Sequence, residues 1–267
     1  MLLMKRNYYL ALLICIFVVF SCKKDKPQPQ PQNTTPGLLE TYGLGEHLTA
    51  SNSLIKDYDY YFDQFDGSKY AGINCGPTVT TMAIRWADPS FSKKPVDARN
   101  AIPANGGWWF TSDIQNYLDS DNINHSVVSF TTVNANDVIE RSINNGDAVI
   151  ICLDMYYAAY NPIATQHTNK FYQTNGTGWG HFLLIKGYKE VDSKVYYEIY
   201  DPYTNHESYA DSSPKGKDRY YLSTTITAAT NVWWPYAILV APKGQQVVAS
   251  TGLQLNSLNN IPVASGR

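Results

Sequence analysis

The chain has 267 residues, of which 44% are hydrophobic and 16% charged, with 21 Lys+Arg against 23 Asp+Glu. This composition is that of a globular protein, and with no basic run it argues against a nucleic-acid partner. Four cysteines, of which only Cys75 and Cys152 fall in the folded domain, exclude a disulfide framework while leaving a single Cys75–Cys152 bond formally open.

Residues 1–22 read as an export signal. Lys5 and Arg6 precede an unbroken apolar run from Tyr8 to Phe20, which also contains Cys15. The run is too short for an ordinary membrane-spanning helix and suits a signal core. Its end, Val19-Phe20-Ser21-Cys22, resembles a bacterial lipobox. That resemblance implies lipidation at Cys22, with ordinary cleavage or an uncleaved anchor as alternatives. Residues 23–40 are rich in Lys, Pro and Gln, with alternating Pro-Gln over 27–32, and predict an extended spacer. The Lys23-Lys24-Asp25-Lys26 start resembles the charged run of Bacteroidetes surface lipoproteins, which implies anchoring at the outer membrane of a Gram-negative bacterium.

The rest predicts one domain over 41–245, with 246–267 as a loosely attached tail. Ser51 to Ile55 reads as the start of a short helix. Asp57 to Phe62, aromatic with acids between, reads as a segment packed before the next element. At Asn74-Cys75-Gly76-Pro77-Thr78 a helix begins: Val79, Met82, Ala83 and Trp86 share one face, and Pro77 suits a first turn. Cys75 then stands at a helix N-terminus, where the dipole favours a thiolate. A small buried cysteine is the competing reading.

Pro89 to Asn100 reads as loop. Gly106-Gly107-Trp108-Trp109-Phe110 suits one wall of a substrate cleft, with Trp108 in it, or core beneath a loop. Helices are predicted over Thr111–Asp119, capped by Ser112 or Asp113, and over Asn134–Asn144, closed by Asn-Gly. Strands are predicted over Ile123–Phe130 and Ala148–Leu153, the latter burying Cys152. Tyr156 to Gly180 is a long aromatic loop, read as a lid that sets Trp179 beside His181, or else as a disordered insertion. His181 opens a buried strand, Gly180-His181-Phe182-Leu183-Leu184-Ile185-Lys186-Gly187. A second strand, Val195 to Tyr200, ends at Asp201-Pro202. Folding back about 191–193 sets His181 opposite 202–204 and near Asp201. A strand over Tyr220–Ile226 and an apolar run from Ala237 to Ala241 follow. The fold class is α+β, with the helical part before its sheet.

The Asn-Cys-Gly-Pro-Thr start, the Gly-His-Phe-Leu-Leu-Ile-Lys-Gly-Tyr strand and the Asp-Pro-Tyr end resemble the C39-like branch of the papain-like cysteine peptidases, over roughly residues 55–205. The resemblance implies a papain-like fold, with a Cys-bearing helix packed on an antiparallel sheet carrying His and Asp. It implies peptide-bond hydrolysis by Cys75 as nucleophile, His181 as base and acid, and Asp201 as orienting carboxylate. It also implies an oxyanion-binding Gln upstream, for which Gln64 is the candidate; a surface residue in a polar loop is the alternative for that position. The partners are then a peptide or protein substrate and a membrane reached through the lipid anchor. The five histidines (47, 125, 167, 181, 206) and the cysteines lack metal-ligand spacing, and no cofactor is expected. The same triad would serve an amidase or transpeptidase, and a papain-like scaffold without chemistry would serve as a surface-binding lipoprotein.

Overall fold

A computed structural model describes residues 36–104 and 107–248. The signal region with Cys15 and Cys22, most of the spacer, and 249–267 of the tail lie outside the described residues. The elements are α1 (Pro36–Tyr42), β1 (Leu48–Ser53), α2 (Cys75–Ala87), α3 (Pro95–Ala101), α4 (Thr111–Ser120), β2 (His125–Ser129), α5 (Ala135–Asn145), β3 (Ala148–Asp154), β4 (Gly180–Val191), β5 (Lys194–Tyr200), β6 (Arg219–Leu222), α6 (Ser223–Trp233) and β7 (Tyr236–Val240). The strands form one sheet in the order β2-β7-β3-β4-β5-β6, with every pairing antiparallel and β1 added along the far half of β4.

The fold is therefore α+β, but the helices lie on both sheet faces rather than ahead of the sheet. β3 is buried at every position, and its residues alternate between two cores. Ile150 and Cys152 join Val79, Met82, Ile114 and Leu118 from α2 and α4. Val149, Ile151 and Leu153 join Val138, Ile139, Ile226 and Ala229 from α5 and α6. A period-two strand covered on both sides reads as a continuous apolar run, which is how this one appears in the sequence.

Several elements follow their local signals. α2 buries the predicted face of Val79, Met82, Ala83 and Trp86. α5 starts at Asn134, whose side chain accepts from the Asn136 and Asp137 N–H groups, and stops at Gly146 in the left-handed region. The β4–β5 hairpin turns at Asp192 and Ser193, both with positive φ (49° and 60°), the primed geometry that matches strand twist.

Other expectations are overturned. Ser51 to Ile55 does not start a helix; Leu48–Ser53 is a strand that pairs Leu48 with Val191 and Ser53 with Gly187. Its sequence, LTASNS, is a weak strand former, and the open half of β4 decides its state. β4 likewise runs past Gly187 to Val191, with a register shift between Ile185 and Gly187 where partners change. The expected loop over Pro89–Asn100 contains α3, started by Pro95 and by the Asp97 carboxylate accepting from the Lys94 N–H. The expected strand over Tyr220–Ile226 ends at Leu222 and becomes α6. Ile226, Ala229 and Thr230 face the core there, while the Thr225, Thr227 and Thr230 hydroxyls bond back to carbonyls three and four residues earlier. α1 occupies the end of the expected spacer, anchored by Leu39 in a small cluster with Val191 and Tyr196. α4 is capped in reverse of expectation: Asp113, inside the helix, accepts from the Phe110 N–H. Among the described residues no helix is long and apolar enough to cross a membrane.

Candidate active site

The start of α2, the start of β4 and the end of β5 contribute Cys75, Phe182 and Tyr200 to one buried cluster. Cys75 is the first residue of α2, after a single 3-10 turn at Ala71–Ile73. That chain path needs Gly76: a Cβ there would lie 2.6 Å from Trp109 Cβ, so Trp109 seals the helix start beside the cysteine. His181, paired in register with Leu153, is buried. Asp201 leaves the ladder after Tyr200 and bonds through its N–H to the Gly216 carbonyl. Gly216 is required by this approach, since a Cβ would stand 2.0 Å from the Asp201 carbonyl oxygen.

His181 Nε2 lies 2.8 Å from Asp201 Oδ1. An ionised carboxylate only accepts, so Nε2 carries the proton and Nδ1 is not engaged by the carboxylate. Asp201 has no solvent exposure and takes three further donors: the Tyr203 N–H on Oδ1 at 2.9 Å, and the Tyr172 and Tyr221 hydroxyls on Oδ2 at 2.9 and 2.6 Å. Burial pushes its carboxyl up, but the charge of His181 and these donors outweigh burial and hold it below the usual carboxylate range. For His181, burial pulls the imidazole down, while the charge and hydrogen bond of Asp201, then Cys75, raise it to about 10. For Cys75, burial pushes the thiol up. The hydrogen bond and charge of His181, with the Phe182 and Gly76 backbone N–H groups, prevail and lower it. Thiol and imidazole are thus moved in opposite directions, toward a thiolate–imidazolium pair.

Aromatic rings enclose the imidazole. Trp179 lies across His181 with centroids 5.9 Å apart and planes at 24°, and Tyr203 meets it edge-on at 6.3 Å. Trp179 is placed from behind by Asp154 at the end of β3, whose carboxylate accepts from the Gly178 and Trp179 N–H groups at 2.7 and 3.1 Å. The 156–179 segment is no disordered insertion. Tyr172 is buried, and the segment bridges to β6 at Thr168.

Gln64 is not the surface residue of the alternative reading, being 1% exposed. Its amide nitrogen donates to the Ala71 carbonyl at 3.0 Å, which ties it to the turn leading into Cys75 and leaves one N–H uncommitted. Trp108 is 52% exposed; Trp109, buried on Gly76, is the core member of that pair. Cys152 is buried in β3, and both thiols are free, so the Cys75–Cys152 bond is not formed. Burial pushes the Cys152 thiol well up, consistent with a core residue. Among the described residues no three His, Cys, Asp or Glu side chains converge as a metal site.

Sequence reasoning missed Tyr172, Tyr221 and Asp154. Tyr172 and Tyr221 are two of 21 tyrosines, and nothing local distinguishes them. Asp154 carried a signal, an acid closing an all-apolar strand.

No family model and no curated protein matches the chain. Among solved structures it is similar to a Bacillus anthracis protein provisionally described as a C39-like peptidase, at 15% identity and a TM-score of 0.44, over 72% of this chain and 98% of that one.

Proposed function

We propose that the domain is a cysteine peptidase of the papain-like, C39-like type, hydrolysing peptide bonds at the cell envelope, where lipidated Cys22 anchors it. The observation that carries this reading is His181, held by Asp201 through Nε2 at 2.8 Å and buried in the domain that also buries Cys75 at the start of α2. In this mechanism the Cys75 thiolate attacks the substrate carbonyl carbon, and the carbonyl oxygen takes up the negative charge. The Cys75 N–H and the uncommitted Gln64 N–H receive that oxyanion. The imidazolium protonates the leaving amine as the C–N bond breaks, leaving an acyl-enzyme. His181 then takes a proton from water, whose oxygen attacks the thioester carbon; the C–S bond breaks, releasing the acid and restoring the Cys75 thiolate beside the imidazolium. Asp201 keeps the tautomer and orientation throughout.

The test is alkylation of the full chain by iodoacetamide across pH 4–9, read by mass at Cys75, with His181→Ala alongside, followed by a peptide library. Fast labelling well below pH 8, slowed in the variant, together with library cleavage, is the expected result. Labelling that follows an ordinary thiol titration and is unchanged in His181→Ala would leave a binding lipoprotein without this chemistry.

A further inference from the structure

Arg99 of α3 is buried, and its donors all go to neutral acceptors: Nε to Asn74 Oδ1 at 2.8 Å, and the terminal nitrogens to the Gly107 and Ile73 carbonyls. Its guanidinium lies 5.0 Å from the Tyr70 ring centre and 5.9 Å from that of Trp109. Among the described residues no carboxylate reaches it within ion-pair distance. A buried cation without a counter-charge costs several kcal/mol unless something nearby offsets it. Two of its acceptors, Ile73 and Asn74, are the residues that lead into Cys75. Asn74 is also fixed from its other end, its amide nitrogen donating to Asp66 Oδ2 at 3.1 Å.

We propose that Arg99 is a positioning residue for the thiol: it locks the Asn74 cap of α2 and supplies the positive charge that lets Cys75 rest as a thiolate. The inference rests on Cys75 being the nucleophile. A thiolate, an imidazolium and the Asp201 carboxylate leave the buried site with one excess negative charge, and Arg99 cancels it. The groups facing this centre are His181 from β4, Asp201 after β5, Cys152 from β3, Asp113 from α4, and Asp66 and Tyr70 from the segment before α2, with Lys69 over the Tyr70 ring. Burial works against the Arg99 charge, and Cys75 offsets this more than Tyr70, Asp113 or Asp66 does.

The test is the pH midpoint of Cys75 alkylation in full-length wild type, Arg99→Met, Arg99→Lys and Asp66→Asn, with folding checked by circular dichroism. Arg99→Met is expected to raise the midpoint by about one pH unit, the usual effect of losing one nearby opposite charge. Arg99→Lys keeps the charge and is expected to stay near wild type. Asp66→Asn removes a negative charge while keeping an acceptor for Asn74, and is expected to lower the midpoint by about a few tenths of a unit. A merely structural role would slow labelling at every pH without moving the midpoint, or move it the same way in both charge-removing variants. Either result overturns the proposal. If Arg99→Met does not fold, Arg99→Lys and Asp66→Asn decide it alone: midpoints unchanged in Asp66→Asn, or raised in Arg99→Lys, reject it. A wild-type midpoint at the ordinary thiol value would instead remove the peptidase reading beneath it.

Discussion

Tyr221 donates a 2.6 Å hydrogen bond to Asp201 Oδ2, the oxygen opposite the one that holds His181. With Tyr172 on the same oxygen at 2.9 Å, two phenols keep a buried carboxylate ionised and aimed. Tyr221→Phe leaves that oxygen one donor short at unchanged shape. The expected cost is about 1.5–3 kcal/mol of stability, as for hydrogen bonds to charged groups. It should be read as a lowered urea midpoint, with peptide cleavage reduced but not abolished. An unchanged midpoint would mean that Tyr172 alone satisfies the oxygen.

The pH dependence follows from the opposed shifts along this chain of groups. Asp201 is depressed in the folded state. Its contribution is present above its unfolded value of about 4 and is lost as pH falls through its lower folded value. His181 is raised to about 10. Its contribution is complete below its unfolded value of about 6.5 and is lost as pH rises toward the folded one. Stability from the pair should therefore be greatest between about pH 4 and 6.5 and erode on both sides. In His181→Ala that dome should flatten, as measured by thermal unfolding from pH 3 to 10.

Asp147 behaves in the contrary sense. Burial raises its carboxyl to about 6, against a single weak partner, the Val248 N–H at 3.3 Å. An acid raised on folding favours the folded state below its unfolded value of about 4, and that advantage is lost as pH rises through 6. Asp147→Asn should thus raise the melting temperature at pH 8 more than at pH 5. Equal effects at both pH values would show that its charge is well solvated.

Gly76 and Trp109 give a steric prediction independent of any chemistry. A Cβ at 76 would meet Trp109 Cβ at 2.6 Å and the packed indole behind it at 3.4 Å. Gly76→Ala should destabilise by about 1–3 kcal/mol, as overpacked sites do, and should slow Cys75 alkylation at every pH because the helix start moves. Gly72→Ala, with open space at its Cβ position and no positive φ, is the control for adding a methyl group without the clash.

The helix at Cys75, the buried run of β3 and the His181 hairpin were legible because each carries its own periodicity or turn chemistry. Even the register was close: the β4–β5 ladder folds about Asp192 and Ser193, inside the expected 191–193. What was illegible depends on distant partners. β1 is a strand because β4 offers an edge, and α6 is a helix because Ile226 and Ala229 find a core that includes Val149 and Ile151. Around the candidate site the same division holds. Cys75, His181 and Asp201 stand at element ends that the sequence marks, while Tyr172, Tyr221 and Arg99 arrive from segments whose composition says nothing of where they point.

The last strand has a consequence for the order in which the molecule is made. β7 lies between β2 and β3, and it is the partner through which β2 joins the sheet. Until residue 240 is available, β2 has no ladder and β3 presents an open edge, however much of the chain has already been synthesised. The sheet is therefore completed only when β7 docks between β2 and β3. Loss of Tyr236–Val240 would leave β3 as an exposed edge and β2 without a ladder partner.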